Sequence, residues 1–292
     1  MRPIWPIAAG AAAGVVGLGV YVSTWHEPHA ALASMADARI VAWCAAGLEP
    51  IEGEGCFAAP PKHDGPVTLV VYLHGRYVDA ADELDRQARV ARGANKRGLA
   101  VLAVRGARGE CNAPGLADYW CWPSNERNAD DGPAFVAGFD AALAAARARL
   151  GPGSNVLFGF SNGGYFAALI AARALAPFDA VAIAHGGPVE PVVARPKQAP
   201  MLLITADDAA DPEMRKLDAE LGGVSWPHAL IARDGGHALP DWDIDAAMTF
   251  FDRVVREGFP LVPPIASRVA RPSVSDAGGE VASDGHDDLR DL

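Results

Sequence analysis

The sequence predicts an α/β domain, with a mostly parallel central sheet and helices on both faces. Three observations predict it. From Val67 onward, short apolar runs of strand length alternate with Ala-rich stretches of helix length. The runs are almost continuously apolar, as strands buried on both faces should be. The residues with unusual chemistry follow the runs, at what would be the carboxyl edge of a parallel sheet, where ligand chemistry gathers.

The elements follow in order. Val67 to Leu73 is the first run and stops at His74-Gly75. Leu99 to Val104 is the next and ends at Arg105-Gly106. Asn155–Gly159, Ala180–Ala184, Met201–Thr205 and His228–Ala232 complete the set of expected strands. Helices are expected over Asp82–Arg97, Pro133–Leu150, Gly163–Leu175, Pro212–Leu221 and Ile244–Glu257. Asp130 and Asp131 precede the second helix, where negative charge favours an N-terminus. Residues 34–66 read as a helix-like run and then a Gly/Pro-rich stretch, which should cap the sheet rather than form a second domain.

A chain of 292 residues is long enough for one sizeable domain of this kind. Its formal net charge of -11 opposes binding to nucleic acid or anionic lipid. Residues 1–33 read as a segment apart. Arg2 precedes an uncharged, Ala/Val/Gly-rich stretch to Trp25, the pattern of an export signal peptide. The stretch is also long enough for a membrane anchor. Either reading places the remainder outside the cytoplasm: secreted, periplasmic or tethered. The α/β domain is expected over residues 34–262. Residues 263–292 are rich in Pro, Ser, Gly and acids and read as a disordered acidic tail.

The four cysteines agree with export. They allow three pairings. The sequence-local ones, Cys44 with Cys56 and Cys111 with Cys121, are favoured, each closing a short loop. No Cys-x-x-Cys pair is present and the close histidines His26 and His29 have no cysteine beside them, so no metal site is expected.

Gly159-Phe160-Ser161-Asn162-Gly163-Gly164 carries the strongest chemical signal. It follows an expected strand and precedes an expected helix, the context that gives a G-x-S-x-G pattern meaning. A very sharp strand-to-helix turn crowds the positions two before and two after the serine, and Gly159 and Gly163 relieve that crowding. Such a turn exposes the Ser161 hydroxyl as a nucleophile. It also sets the Asn162 N–H at a helix start, where an oxyanion is stabilised. No Lys-Ser/Thr follows the glycines, which disfavours a phosphate loop.

His237, in Asp234-Gly235-Gly236-His237, follows the last strand, where a Ser…Asp…His order places its general base. The third member should come from the loop after the fifth expected strand. Asp208 is preferred by register, with Asp211 as the alternative, and Asp207 should point elsewhere. The second oxyanion donor should come from His74-Gly75-Arg76-Tyr77, and the Arg76 amide is the choice. His74 and His185 end strands and would line the site.

Together these residues resemble the secreted feruloyl esterases and polyhydroxybutyrate depolymerases of the α/β-hydrolase superfamily, from about Val67 to Phe259. The resemblance is sharpest at Asp130-Asp131, the Gly-Phe-Ser161-Asn-Gly-Gly elbow, Phe178-Asp179-Ala180-Val181-Ala182 and Ala184-His185-Gly186-Gly187. It implies an α/β-hydrolase fold, no cofactor, and small-molecule or polymeric ester substrates cleaved through an acyl-enzyme. Thr205 or Ala206 stands where the family's acid loop has a glycine, and Arg105 to Trp122 diverges. Within that divergent segment, Trp120 and Trp122, with Tyr77 nearby, are expected to line the substrate pocket. A serine peptidase of the same fold and a non-catalytic binding module are the alternative readings. The rate should rise with pH as His237 becomes neutral, near ~7 for a base tuned to its task.

Overall fold

A computed structural model describes residues 43–61, 65–111 and 113–258. The expected signal or anchor and the acidic tail lie outside the described residues, as do the expected domain limits at 34 and 262. The described chain is built on an eight-stranded sheet. Its strands are β1 (Glu49–Ile51), β2 (Gly55–Ala58), β3 (Leu69–Leu73), β4 (Ala100–Val104), β7 (Asn155–Phe160), β8 (Ala180–Ala184), β9 (Met201–Ala206) and β10 (His228–Arg233). A separate hairpin pairs β5 (Ala107–Arg108) with β6 (Trp120–Cys121). The helices are α1 (Ala80–Asn95), α2 (Gly132–Leu150), α3 (Asn162–Arg173), α4 (Asp211–Gly223) and α5 (Asp241–Glu257).

Strand order in the sheet is β1-β2-β4-β3-β7-β8-β9-β10. From β4 to β10 all pairs are parallel. The expected parallel core is therefore present. The segment expected only to cap the sheet instead extends it, because β1 and β2 pair antiparallel with each other and β2 pairs antiparallel with β4.

Each strand feeds two cores by alternation, since successive side chains point to opposite faces. Leu69, Val71 and Leu73 of β3 join Leu157, Val181, Ile183 and Leu203 on the face covered by α2, α3 and α4. Val70 and Tyr72 join Phe158, Ala182 and Ile204 on the face covered by α1 and α5. The second face is richer in alanine, with Ala180, Ala182 and Ala184 along β8, and α5 fills it with Ile244, Met248 and Phe251. Truncating a fully buried aromatic such as Phe158 typically costs about 3–5 kcal/mol. This two-faced burial makes the sheet a rigid platform for the loops at its carboxyl edge.

Both favoured disulfides form, Cys44–Cys56 and Cys111–Cys121. The first ties the approach to β1 onto its neighbour β2. The second pins the β5–β6 hairpin below the site. Because Cys44 and Cys56 are 12 residues apart, removing their bond frees the unfolded chain by an entropy worth about 3 kcal/mol. The Cys44→Ser/Cys56→Ser double variant should lower the urea-unfolding free energy by about that amount. An unchanged midpoint would show that the bond contributes nothing.

Candidate active site

Ser161 stands between β7 and α3 with φ 53° and ψ -121°, a conformation that non-glycine residues rarely adopt. Its neighbours enforce that conformation. A Cβ on Gly159 would meet the Gly163 carbonyl oxygen at 2.2 Å. One on Gly163 would meet the Leu73 and His74 carbonyl oxygens at 2.4 and 2.5 Å. Only glycine allows α3 to start this close to β7 and to the end of β3. The Ser161 N–H donates to the Ala184 carbonyl of β8 at 2.8 Å, which anchors the turn from the other side.

His237 arrives from the β10–α5 loop, and its Nε2 lies 2.8 Å from Ser161 Oγ. Its Nδ1 lies 3.2 Å from Asp208 Oδ2. The loop that carries it is held by Arg233 at the end of β10. The guanidinium donates to the carbonyls of Ala238 at 2.9 Å and Asp234 at 3.1 Å. The same Arg233 grips buried Asp243 in the first turn of α5, with Nε–Oδ1 at 2.6 Å. The glycines beside His237 let the loop bend, and Gly235 has φ +114°. Arg233 then fixes the bend.

The loop after β9 separates the acids that register alone left open. Asp208 meets His237, and its Oδ1 accepts the Ala210 N–H at 2.8 Å. Asp211 begins α4 and is engaged elsewhere. Its oxygens accept from Thr205 Oγ1 at 2.9 Å and Arg215 Nε at 2.7 Å. Asp207 is exposed.

Burial acts to raise the Asp208 carboxyl, but the Ala210 amide, the His185 hydrogen bond and the nearby imidazoles outweigh it and hold the group below the usual carboxylate range. Burial pushes the His237 imidazole below its ordinary value. Asp208 opposes that shift, while the His185 and Arg76 charges add to it. The His237 ring is therefore neutral down to a lower pH than an ordinary imidazole.

Gly75 lies against Ser161, since a Cβ there would meet Ser161 Cβ at 3.2 Å. The Arg76 amide is the next along this loop. The Asn162 amide opens α3, where the first N–H groups have no intrahelical acceptor. The Asn162 side chain is committed to the loop opposite. Its Oδ1 accepts the Trp122 N–H at 2.7 Å, and its Nδ2 donates to Ser124 Oγ at 2.6 Å.

The aromatic pocket expected from the sequence needs correction. Trp122 is fully buried, stacks on Phe166 with ring centroids 5.4 Å apart, and donates Nε1–H to the His74 carbonyl at 3.0 Å. It braces the Gly75–Arg76 loop from beneath. Tyr77 is also buried, stacked on Trp43 at 5.8 Å, with its hydroxyl accepting Arg105 Nε–H at 3.2 Å. Trp120 is half-buried and lies under the Arg105 guanidinium, whose Cζ is 3.5 Å from the ring centroid.

His74 is structural too. Its Nε2 accepts the Gly106 N–H at 2.9 Å, so the proton sits on Nδ1, which donates to the Gly75 carbonyl at 2.7 Å. Burial brings its pKa to about 3, so it stays neutral.

His185, at the end of β8, sits deeper than a lining residue. Its Nδ1 is 2.7 Å from Asp208 Oδ2 and its Nε2 is 2.9 Å from Asp243 Oδ2. Nitrogen or oxygen atoms of His185, Asp208 and His237 all lie within 4.8 Å of one another. The residue types would suit a transition metal. However, one carboxylate oxygen lies at hydrogen-bond distance from both rings, and a ring nitrogen that donates its proton there has no lone pair to offer. Sequence reading missed Asp243 and Arg233, which look like an ordinary helix-start acid and a strand-end base.

No family model matches the chain, and no curated protein matches it. Solved structures do. Esterase PE8 is 22% identical with a TM-score of 0.51, covering 72% of this chain and 98% of that one. The Bacillus cereus carboxylesterase is 18% identical with a TM-score of 0.50, covering 74% and 98%. A truncated carbohydrate esterase from gut microbiota is 14% identical with a TM-score of 0.52, covering 70% and 91%. At these identities the likeness establishes the fold, which is that of the α/β-hydrolases.

NMR titration should give His237 a midpoint below the ordinary imidazole value of about 6.5. Asp208→Asn should lower it further, since Asp208 favours the imidazolium. A wild-type midpoint above about 7 would contradict the arrangement described.

Proposed function

We propose that the chain is a serine hydrolase that cleaves carboxylic esters through an acyl-enzyme, with Ser161, His237 and Asp208 as its triad. The observation that carries this reading is the 2.8 Å contact between Ser161 Oγ and His237 Nε2. It is backed by a carboxylate on the other ring nitrogen.

In this mechanism Ser161 Oγ attacks the ester carbonyl carbon while His237 Nε2 takes the hydroxyl proton. Asp208 accepts the Nδ1–H, selects the tautomer that leaves Nε2 free, and stabilises the imidazolium. The developing oxyanion is received by the amides of Asn162 and Arg76. His237 then passes its proton to the departing alcohol. Water, deprotonated by the same ring, attacks the acyl group and returns Ser161 to its starting state.

The resemblances noted above point to esters with bulky or polymeric acyl parts, small-molecule or polymeric. The solved structures named as esterases support ester cleavage. The two disulfides support a location outside the cytoplasm. Among the described residues no helix is long and apolar enough to cross a membrane. The apolar N-terminal segment read from the sequence is the proposed place for a membrane tether.

The test is a 4-nitrophenyl ester series run beside an aminoacyl-amide series. Wild type should hydrolyse the esters faster than the amides. Ser161→Ala should abolish turnover, and Asp208→Asn should cut kcat by roughly 10⁴ through loss of the correct tautomer. Asp211→Asn should leave kcat within about threefold and lower the melting temperature instead, because its partners are Thr205 and Arg215. Turnover that survives Ser161→Ala would overturn the reading. So would an Asp211→Asn variant more damaged than Asp208→Asn.

A further inference from the structure

The acid of the triad is shared. Asp208 Oδ2 lies 3.2 Å from His237 Nδ1 but only 2.7 Å from His185 Nδ1. The closer partner is the histidine that has no part in the proton transfers. A carboxylate only accepts, so His185 Nδ1 donates to Asp208, whereas Nε2 has both a carboxylate, Asp243, and a donor, Arg233, within reach. We propose that His185 is a positioning residue for this reaction, a second imidazole that fixes the catalytic carboxylate of Asp208 for His237. The inference rests on the Ser161–His237–Asp208 reading.

Asp208 needs such a holder. It stands in a short loop whose neighbours Asp207 and Ala209 are exposed. Among the described residues its Oδ1 is fixed only by a local turn, through the Ala210 N–H. Oδ2, which faces His237 at 3.2 Å, has His185 as its other partner from outside that loop.

His185 is well suited to the task because it is itself immobile. It is fully buried, and its N–H donates to the Ile204 carbonyl at 2.9 Å. Its φ of 54° is unusual for a histidine. Its Nε2 lies between Asp243 Oδ2 at 2.9 Å and Arg233 Nη2 at 3.1 Å.

The resulting chain runs Arg233, Asp243, His185, Asp208, His237, Ser161, and draws on β10, α5, the end of β8 and the loop after β9. The groups facing His185 are Asp208, Asp243, Arg233 and the His237 ring, whose centroid is 5.5 Å away, with Phe160 at 5.9 Å. Burying two carboxylates and an imidazole carries a desolvation cost that a well-packed apolar cluster would avoid. Placement of the catalytic acid accounts for the arrangement. Arg233 also holds the His237 loop, so base and acid are located by the same group.

The residue offers its own discriminating pair of variants. Asparagine tolerates positive φ, and its Nδ2 stands where histidine has Nδ1. His185→Asn therefore keeps the donor to Asp208 and loses the link to Asp243. His185→Leu loses both. On a 4-nitrophenyl ester, His185→Leu should reduce kcat roughly tenfold to a hundredfold, as misplaced catalytic groups do. Its KM should stay within about threefold.

The acid limb of kcat/KM should move to higher pH in His185→Leu. With His185 gone, the Asp208 charge acts on His237 alone and favours the imidazolium. His185→Asn should recover most of the lost kcat. In the wild type, nitrogen-15 histidine spectra at pH 8 should show His185 protonated at Nδ1, a measurement that stands even if a variant fails to fold.

The inference is overturned by a folded His185→Leu with wild-type kcat and acid limb. It is overturned equally if Leu and Asn variants lose the same activity with no shift of the limb, which would mark a packing role. An unprotonated Nδ1 in the wild type would do the same. Ser161→Ala, run alongside, separates the two levels. Activity surviving that change defeats the triad itself, whereas an inactive Ser161→Ala beside a fully active His185→Leu defeats only the role of His185.

Discussion

The backbone of Ser161 is held where a side chain with a β-carbon does not rest easily, and the site is organised around keeping it there. A conformation of this kind costs on the order of 1–3 kcal/mol and persists only where the surroundings over-determine it. Three constraints do so. Gly159 and Gly163 approach too closely for any β-carbon between them. The Ser161 N–H is tied to β8 through Ala184. The ends of β3 and β7 lie side by side in the parallel sheet, with Leu73 paired to Gly159. A strand register set by buried valines and leucines is thereby converted into the direction of a single hydroxyl.

Asp208 and His237 are placed by electrostatic contacts rather than by strain. Arg233 reaches from the sheet to the loop carrying His237 and to Asp243 at the start of α5. Asp243 and His185 are both fully buried. Polar and charged groups taken out of water are stable only when they are closely hydrogen-bonded, and these are. The stability of this corner of the fold and the alignment of Ser161, His237 and Asp208 therefore draw on the same contacts. A change that loosens one should loosen the other.

Much of this was legible in the sequence, for identifiable physical reasons. The strands from Val67 to Thr205 declare themselves because burial on both faces leaves no room for polar residues. The elbow declares itself because its glycines are required by backbone sterics. His237 is marked by chain order. Strands β1 and β2 were missed because Pro50, Gly53 and Gly55 interrupt any apolar pattern over residues 49–58. Tyr77 and Trp122 were expected in the pocket because an aromatic ring on a loop does not reveal which way it faces. His185 could be seen only as a histidine after a strand, because its partner Asp243 lies 58 residues further along. Loop register favoured Asp208 over Asp211, and Asp208 is the acid that lies beside His237, while Asp211 contacts Thr205 and Arg215.

The most direct measurement of the central claim is a crystal structure of the protein after reaction with an alkyl fluorophosphonate, whose tetrahedral phosphorus mimics the attacked carbonyl. The account predicts one covalent bond, from Ser161 Oγ to phosphorus. It also predicts the phosphoryl oxygen within hydrogen-bond distance of the Asn162 and Arg76 amides, and His237 still resting on Asp208. Modification at another residue, or a phosphoryl oxygen turned away from both amides, would contradict it.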